Sequence, residues 1–156
     1  RRVLFRSNRN LSIGEVVYVS SDNFPELGVD NNGIFESVFD LGFLKANKFP
    51  FDQGRLVSCY MKNSEVLHTL KDVSANTVNT CSGQEFKIVE LSKRTHADIE
   101  SMEGAAFMLS CLLAKVSCIQ LRAISNYVEK RNPDNWKVPL AINNLNTLLI
   151  SFLNSL

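Results

Sequence analysis

Ala97-Asp98-Ile99-Glu100-Ser101-Met102-Glu103-Gly104-Ala105-Ala106-Phe107 opens the stretch 97–127, whose reading decides the fold. Up to Met102 it reads as a short extended segment. From Gly104 small residues begin a helix that continues through Met108, Leu109, Leu112 and Leu113. A second apolar run, 116–124, follows and stops at Ser125-Asn126-Tyr127. Strand, helix, strand is the repeating unit of layered α/β sheets, and ligands in such sheets bind outside the strand ends. Glu103 and Asn126, the polar residues left at two strand ends, are therefore the first candidates for a site.

Outward from this unit the signals alternate. A turn at 11–15 leads into Val16-Val17-Tyr18-Val19-Ser20, a β-branched and aromatic strand. Residues 21–34 hold Asp22, Asn23, Pro25, Gly28, Asp30, Asn31, Asn32 and Gly33, all turn formers, and read as a long loop. Residues 35–51 carry Phe35, Phe39, Phe43, Phe49 and Phe51 and are broken by Pro50; a short helix and a crossing loop are expected, with the rings in a core or a subunit contact. A short strand is expected at 55–60, a short helix at 63–70 capped by Asn63 or Ser64, and a strand at 73–80. Cys81-Ser82-Gly83 reads as a turn, and 84–94 has a helical period through Phe86, Ile88, Val89 and Leu91. After the polar loop 128–135 comes the clearest helix, 136–156. Its stripe of Val138, Ile142, Leu145, Leu149, Phe152 and Leu156 recurs at three- and four-residue steps, and Pro139 falls in the first turn, where a missing N–H is harmless.

The totals exclude several classes. A chain of 156 residues fits one domain with a real core. Apolar content of 45% and charged content of 21% are those of an ordinary globular protein. The net charge of +1, with Lys and Arg scattered, gives no nucleic-acid or polybasic membrane surface. No apolar run reaches the roughly 18 residues of a membrane span. The four cysteines, Cys59, Cys81, Cys111 and Cys118, form no Cys-x-x-Cys pair and read as reduced thiols of a cytoplasmic protein. His68 and His96 stand alone in sequence, so no metal site is expected. Arg1-Arg2-Val3-Leu4-Phe5-Arg6-Ser7 has neither helix nor strand logic and lacks the apolar core of a signal peptide. Residues 1–10 are therefore read as a non-native or linker start.

Three stretches together resemble the purine nucleosidase and phosphorylase superfamily. Ser101-Met102-Glu103-Gly104-Ala105-Ala106 is similar to its ribose-binding strand end. Arg122-Ala123-Ile124-Ser125-Asn126 stands where that family recognises the base. Ser82-Gly83-Gln84-Glu85-Phe86 is similar to its Ser-Gly-x-x-Phe turn, whose ring stacks on the purine. Glu103 to Phe107, Arg122 to Glu129, and Asn135-Trp136 with Pro139 to Ile142 look characteristic of the futalosine hydrolase branch. The resemblance runs from about Leu11 to the C-terminus. It implies a three-layer αβα sandwich of the nucleoside phosphorylase type, with 11–156 as the C-terminal two thirds of one nucleosidase domain. The strand and the loop with the water-activating glutamate, which open the family's domain, would precede Leu11.

The implied activity is hydrolysis of the N-glycosidic bond of futalosine with release of hypoxanthine. The alternatives are a methylthioadenosine/S-adenosylhomocysteine nucleosidase, a 6-oxopurine nucleoside phosphorylase, or an inactive or merely binding fragment. By the same resemblance Glu103 accepts the ribose 2′- and 3′-hydroxyls; without it, Glu103 is a first-turn acid favoured by the helix dipole. Met102 packs on the ribose, and Phe86 stacks on the base. Adenine-releasing relatives carry Asp where Asn126 stands. A carboxamide there can donate to N7 and faces a 6-oxopurine better than a 6-amino group, a mismatch that costs about 1–3 kcal/mol. Ser125 and Arg122 are expected to orient Asn126. No cofactor is implied; the partners expected are the nucleoside and further copies of the chain.

Overall fold

The computed structural model describes residues 3–4, 10–60, 64–130 and 132–155, of the first pair only the backbone pairing. The strands are β1 (Val3–Leu4), β2 (Val16–Asp22), β3 (Gly28–Asn31), β4 (Ile34–Ser37), β5 (Phe51–Asp52), β6 (Arg55–Val57), β7 (Asp72–Thr77), β8 (Ile99–Ser101), β9 (Leu121–Ala123) and β10 (Asn126–Tyr127). The helices are α1 (Glu65–His68), α2 (Glu85–Thr95), α3 (Gly104–Leu113) and α4 (Val138–Leu153), with one 3-10 turn at Pro133–Asn135.

A mixed central sheet runs β10-β1-β8-β7-β2-β6-β5. The crossover through α2 makes β7 and β8 parallel. β2 is parallel to β7 on one side. On its other side it takes β9 along Val16–Tyr18 and β6 at Ser21–Asp22, both antiparallel. β9 and β10 belong to one segment, yet they pair at distant places in the strand order. β8 and β10 run in opposite directions. β8 and β10 are not direct neighbours, because β1 lies between them, with Val3 opposite Glu100 on one side and Asn126 on the other.

The main core packs Val17, Val19, Val73, Ala75, Ile99 and Ile124 of the sheet region against Ala105 and Met108 of α3. A second cluster, Val78, Ile88, Leu91, Ala97 and Val128, lies under α2. The helices thereby flank the sheet as the αβα reading expects.

Four expectations need correction. Val3–Leu4, within the stretch read as having no strand logic, form β1 between β8 and β10. Residues 21–34 are not one loop: β3 and β4 form a hairpin, and Asn32 (φ 54°) and Gly33 (φ 85°) supply the two left-handed positions of its two-residue turn. β3 is exposed throughout, so it carries no apolar alternation by which a strand could be recognised. Residues 35–51 hold no α-helix. Turns, the cis Phe49–Pro50 bond and β5 replace it, and Phe39 meets Phe51 edge-on at 5.2 Å. In α4, Ile142 is 54% exposed; the buried positions are Ala141 and Phe152, and Asn144 turns inward to donate to the Gly14 carbonyl at 2.8 Å. Asn63 and Leu156, named in two helix readings, lie outside the described residues.

Candidate functional site

At the end of β8 the motif around Glu103 meets the Ser82 turn and, of the third motif, Arg122. Glu103 is the N-cap residue of α3, but its side chain makes no capping bond. The first free amides of that helix are satisfied elsewhere. Gly104 N donates to Ser101 Oγ at 3.3 Å, and Ala105 N donates to Thr77 Oγ1 at 2.7 Å. The Glu103 carboxylate, 73% exposed, is therefore released from the structural duty that its position suggests. Its described ion pair is with Arg122 Nη1 at 3.9 Å, a side chain only 7% exposed.

Behind Arg122 lies a polar cluster that the sequence reading missed. Arg122 Nε donates to Gln120 Oε1 at 2.6 Å. Gln120 Nε2 faces Asp22 Oδ2 at 3.4 Å and the Gly104 carbonyl at 3.5 Å. The other oxygen of Asp22 accepts from Thr77 Oγ1 at 3.0 Å and from Asn23 N at 2.9 Å. Asp22 is fully buried, and desolvation pushes its carboxyl up to about 6 against these hydrogen bonds and the nearby Arg55. Gly104 sits in the middle of the cluster. A Cβ there would lie 2.3 Å from Asp22 Oδ2 and 2.4 Å from Gln120 Oε1, so no other residue fits without displacing them.

Arg122 thus turns toward Glu103 and Gln120 in its described contacts, whereas the sequence reading set it to orient Asn126. Ser125 does touch Asn126: its hydroxyl donates to Oδ1 at 2.7 Å, and Asn126 Nδ2 donates to the Tyr127 carbonyl at 3.1 Å. Both Ser125 and Asn126 are buried. Met102 is 43% exposed beside Cys81, with sulfur atoms 3.6 Å apart. Phe86, in the first turn of α2, presents 66% of its surface. The turn before it is tied to β8 by Ser82 N, which donates to Glu100 Oε1 at 3.3 Å. Glu100 is buried, its Oε2 has no partner among the described residues, and desolvation raises its carboxyl above the ordinary range.

Two clefts lie on opposite faces of α2. One, of about 860 Å³, runs from Ile88 and Val89 to Val128 and Asn135. The other, of about 720 Å³, is bordered by Ser82, Gly83, Phe35 and Arg94. Glu103 and Asn126 line neither. The structure brings Glu103 to Arg122, Met102 to the turn before Phe86, and Ser125 to Asn126. It joins the two halves through β1 rather than through one enclosed cavity. Among the described residues no cluster of three metal-ligating side chains occurs, and no helix is long and apolar enough to cross a membrane.

The mixed sheet flanked by helices is the fold of solved nucleosidases. A methylthioadenosine/S-adenosylhomocysteine nucleosidase from Colwellia psychrerythraea, solved with adenine, superposes with a TM-score of 0.72 at 17% identity, over 99% of this chain and 64% of that one. The futalosine hydrolase of Helicobacter pylori superposes with a TM-score of 0.70 at 14% identity, over 99% and 65%. In sequence the chain is similar to a futalosine hydrolase, that of Thermus thermophilus, with 30% identity over 144 residues. The match covers 86% of this chain and 59% of that enzyme, so the chain spans about three fifths of the relative's length. No protein-family model matches.

Proposed function

We propose that the protein carrying this chain is an N-ribosyl hydrolase that cleaves futalosine and releases hypoxanthine, a step toward menaquinone. The observation that carries this is the Glu103 carboxylate: it stands at a helix N-terminus, is excused from capping by Ser101 and Thr77, and is flanked by a buried guanidinium. Similarity to the Thermus thermophilus enzyme supports the choice of substrate.

Glu103 accepts hydrogen bonds from the ribose hydroxyls, and its charge stabilises the positive character that the sugar gains as the glycosidic bond lengthens. Asn126 serves the leaving base. With one Nδ2 hydrogen held by Tyr127 O and Oδ1 occupied by Ser125, the remaining N–H is left for N7 or O6 of a 6-oxopurine. An adenine 6-amino group would meet a donor there. Met102 covers the sugar and Phe86 the base. Water activation is not assigned to any of these residues. No cofactor is required. The reading includes a cytoplasmic oligomer, for which the exposed Phe43 and Phe49 are the candidate contact.

The test is turnover by the full-length protein, followed chromatographically with futalosine, inosine and methylthioadenosine. Hypoxanthine release from futalosine without added phosphate is expected. Faster release of adenine from methylthioadenosine would replace this reading by that nucleosidase's. An absolute need for phosphate would make the protein a phosphorylase.

A further inference from the structure

We propose that Asp22 and Gln120 are positioning residues. The carboxylate of Asp22 fixes the direction of the Gln120 amide, and the amide oxygen in turn holds Arg122 beside Glu103. The effect on ligand rests on the nucleosidase reading; the relay itself does not.

The argument is one of hydrogen-bond polarity. An amide side chain can point either way, and its neighbours decide. Asp22 Oδ2 at 3.4 Å and the Gly104 carbonyl at 3.5 Å can only accept, while Arg122 Nε at 2.6 Å can only donate. All three demands are met by one orientation, with the NH2 toward Asp22 and the oxygen toward Arg122. Asp22 is itself locked, because Thr77 Oγ1 and Asn23 N occupy its Oδ1 and leave Oδ2 for Gln120. Gln120 and Arg122 are 5% and 6% exposed, so water cannot substitute for a lost partner without opening the cluster. Gly104 keeps the space in which the three side chains converge. Glu103 at the far end is exposed, so its position depends on the buried cation that the relay holds.

The chain of polarity can be reversed, and that gives the test. In Asp22→Asn the new Nδ2 donates toward position 120. Gln120 must turn, and its NH2 then meets Arg122 Nε, donor against donor. In the double variant Asp22→Asn/Gln120→Glu, a carboxylate at position 120 accepts both from the amide introduced at position 22 and from Arg122, with net charge unchanged; only the long 3.5 Å bond to the Gly104 carbonyl is given up. A merely structural role predicts that two buried changes add; the relay predicts rescue.

The measurements, on the full-length protein, are calorimetric affinities for inosine and for free hypoxanthine, and the 15Nε–1Hε resonance of Arg122 without ligand. Asp22→Asn is expected to weaken inosine binding about tenfold or more, the scale of one charge-assisted hydrogen bond, and to change hypoxanthine binding less than about twofold. Asp22→Asn/Gln120→Glu is expected to return inosine to within about threefold of wild type, and the Arg122 resonance to its original place. A double variant worse than Asp22→Asn, or equal losses for inosine and hypoxanthine, overturns the proposal. If wild type binds neither ligand, the nucleosidase reading fails while the resonance still decides the relay: displaced in Asp22→Asn and restored in the double variant supports it, unmoved overturns it. Should Asp22→Asn not fold, Gln120→Met gives the same decision. Displacement of the Arg122 resonance with a selective loss of inosine supports the relay, and the absence of either overturns it.

Discussion

The two ends of the candidate site are held in different ways. Asn126 is fixed by its own neighbours in sequence, Ser125 and Tyr127. Glu103 is fixed from a distance, through Arg122 and Gln120 of the β9 segment, Asp22 of β2 and the gap at Gly104. On the proposed assignment, the base end is a local device and the ribose end a tertiary one. Damage at the base end should stay local, while damage at the ribose end should cost the fold as well as the site.

The largest effect should come from titrating Asp22. Its folded carboxyl lies at about 6 against an ordinary 3.8, raised mainly by desolvation. The folded state therefore binds the proton more tightly than the unfolded chain. This contribution to stability is complete below about pH 4, declines as pH rises through about 6, and is flat above, an amplitude on the order of 3 kcal/mol. Asn does not titrate, so the difference in unfolding free energy between wild type and Asp22→Asn, from urea melts at successive pH values, should fall across that window. A flat difference would remove the buried charge from the account. The groups facing Asp22 are Thr77, Gln120, Asn23 N and Arg55, with the Arg122 guanidinium beyond Gln120. At neutral pH, above about 6, the folded carboxyl is mostly ionised and so directs Gln120, but burying that charge opposes folding, and the proposed ribose end is held at the expense of stability.

Gly104→Ala sharpens the comparison from the packing side. The backbone there needs no left-handed conformation; the obstacle is the pair of oxygens 2.3 and 2.4 Å from the new Cβ. Forcing them apart should cost about 2 kcal/mol of stability, as overpacking does. Inosine binding should fall with it, while Asn126 keeps its local bonds. A melting temperature and inosine affinity both equal to wild type would mean that the cluster yields freely, which would deny it a positioning role.

How much of this was legible follows from the same division. The stretch Arg122-Ala123-Ile124-Ser125-Asn126 was singled out by resemblance, and of its two expected orienting residues Ser125 touches Asn126 while Arg122 turns to Gln120 and Glu103. The Met102-Glu103 end was legible as a strand end and helix start, but what frees Glu103 from capping was not. Ser101 lies inside the motif, whereas Thr77 belongs to β7 and stands 28 positions before the Ala105 amide that it serves. Asp22 was hidden among turn formers, and its role arises only because the fold buries it. One signal was present: Gln120 and Arg122, two residues apart in an otherwise apolar run, must share one face of a strand and so share an environment. The β3–β4 hairpin also carried its Asn32-Gly33 sign, but without apolar alternation on either side. Of the α4 stripe, Phe152 is buried and Val138, Leu145 and Leu149 are half-buried as read, but Ile142 is turned outward, and Ala141 and Asn144 face inward in its place.

At the base end the expected effects are smaller. Ser125→Ala leaves the buried Asn126 Oδ1 without its hydroxyl donor, worth about 1 kcal/mol in a urea melt, and should weaken hypoxanthine at least as much as inosine. A selective loss of inosine instead would join the two ends into one unit and break the comparison.

The smallest change in stability should come from Phe86→Ala. With 66% of its surface exposed, the ring contributes little to the core, and the melt should move by no more than about 0.5 kcal/mol. Its exposure is what a stacking platform needs before a base arrives. Backbone position is independent of the ring, because Glu100 ties Ser82 to β8 and the helix follows from there. Base-stacking is worth about 1–3 kcal/mol, so hypoxanthine affinity should fall by about tenfold while stability holds. If Phe86→Ala binds hypoxanthine as wild type does, the ring is a bystander, and the base end reduces to Asn126 and the side chain that orients it.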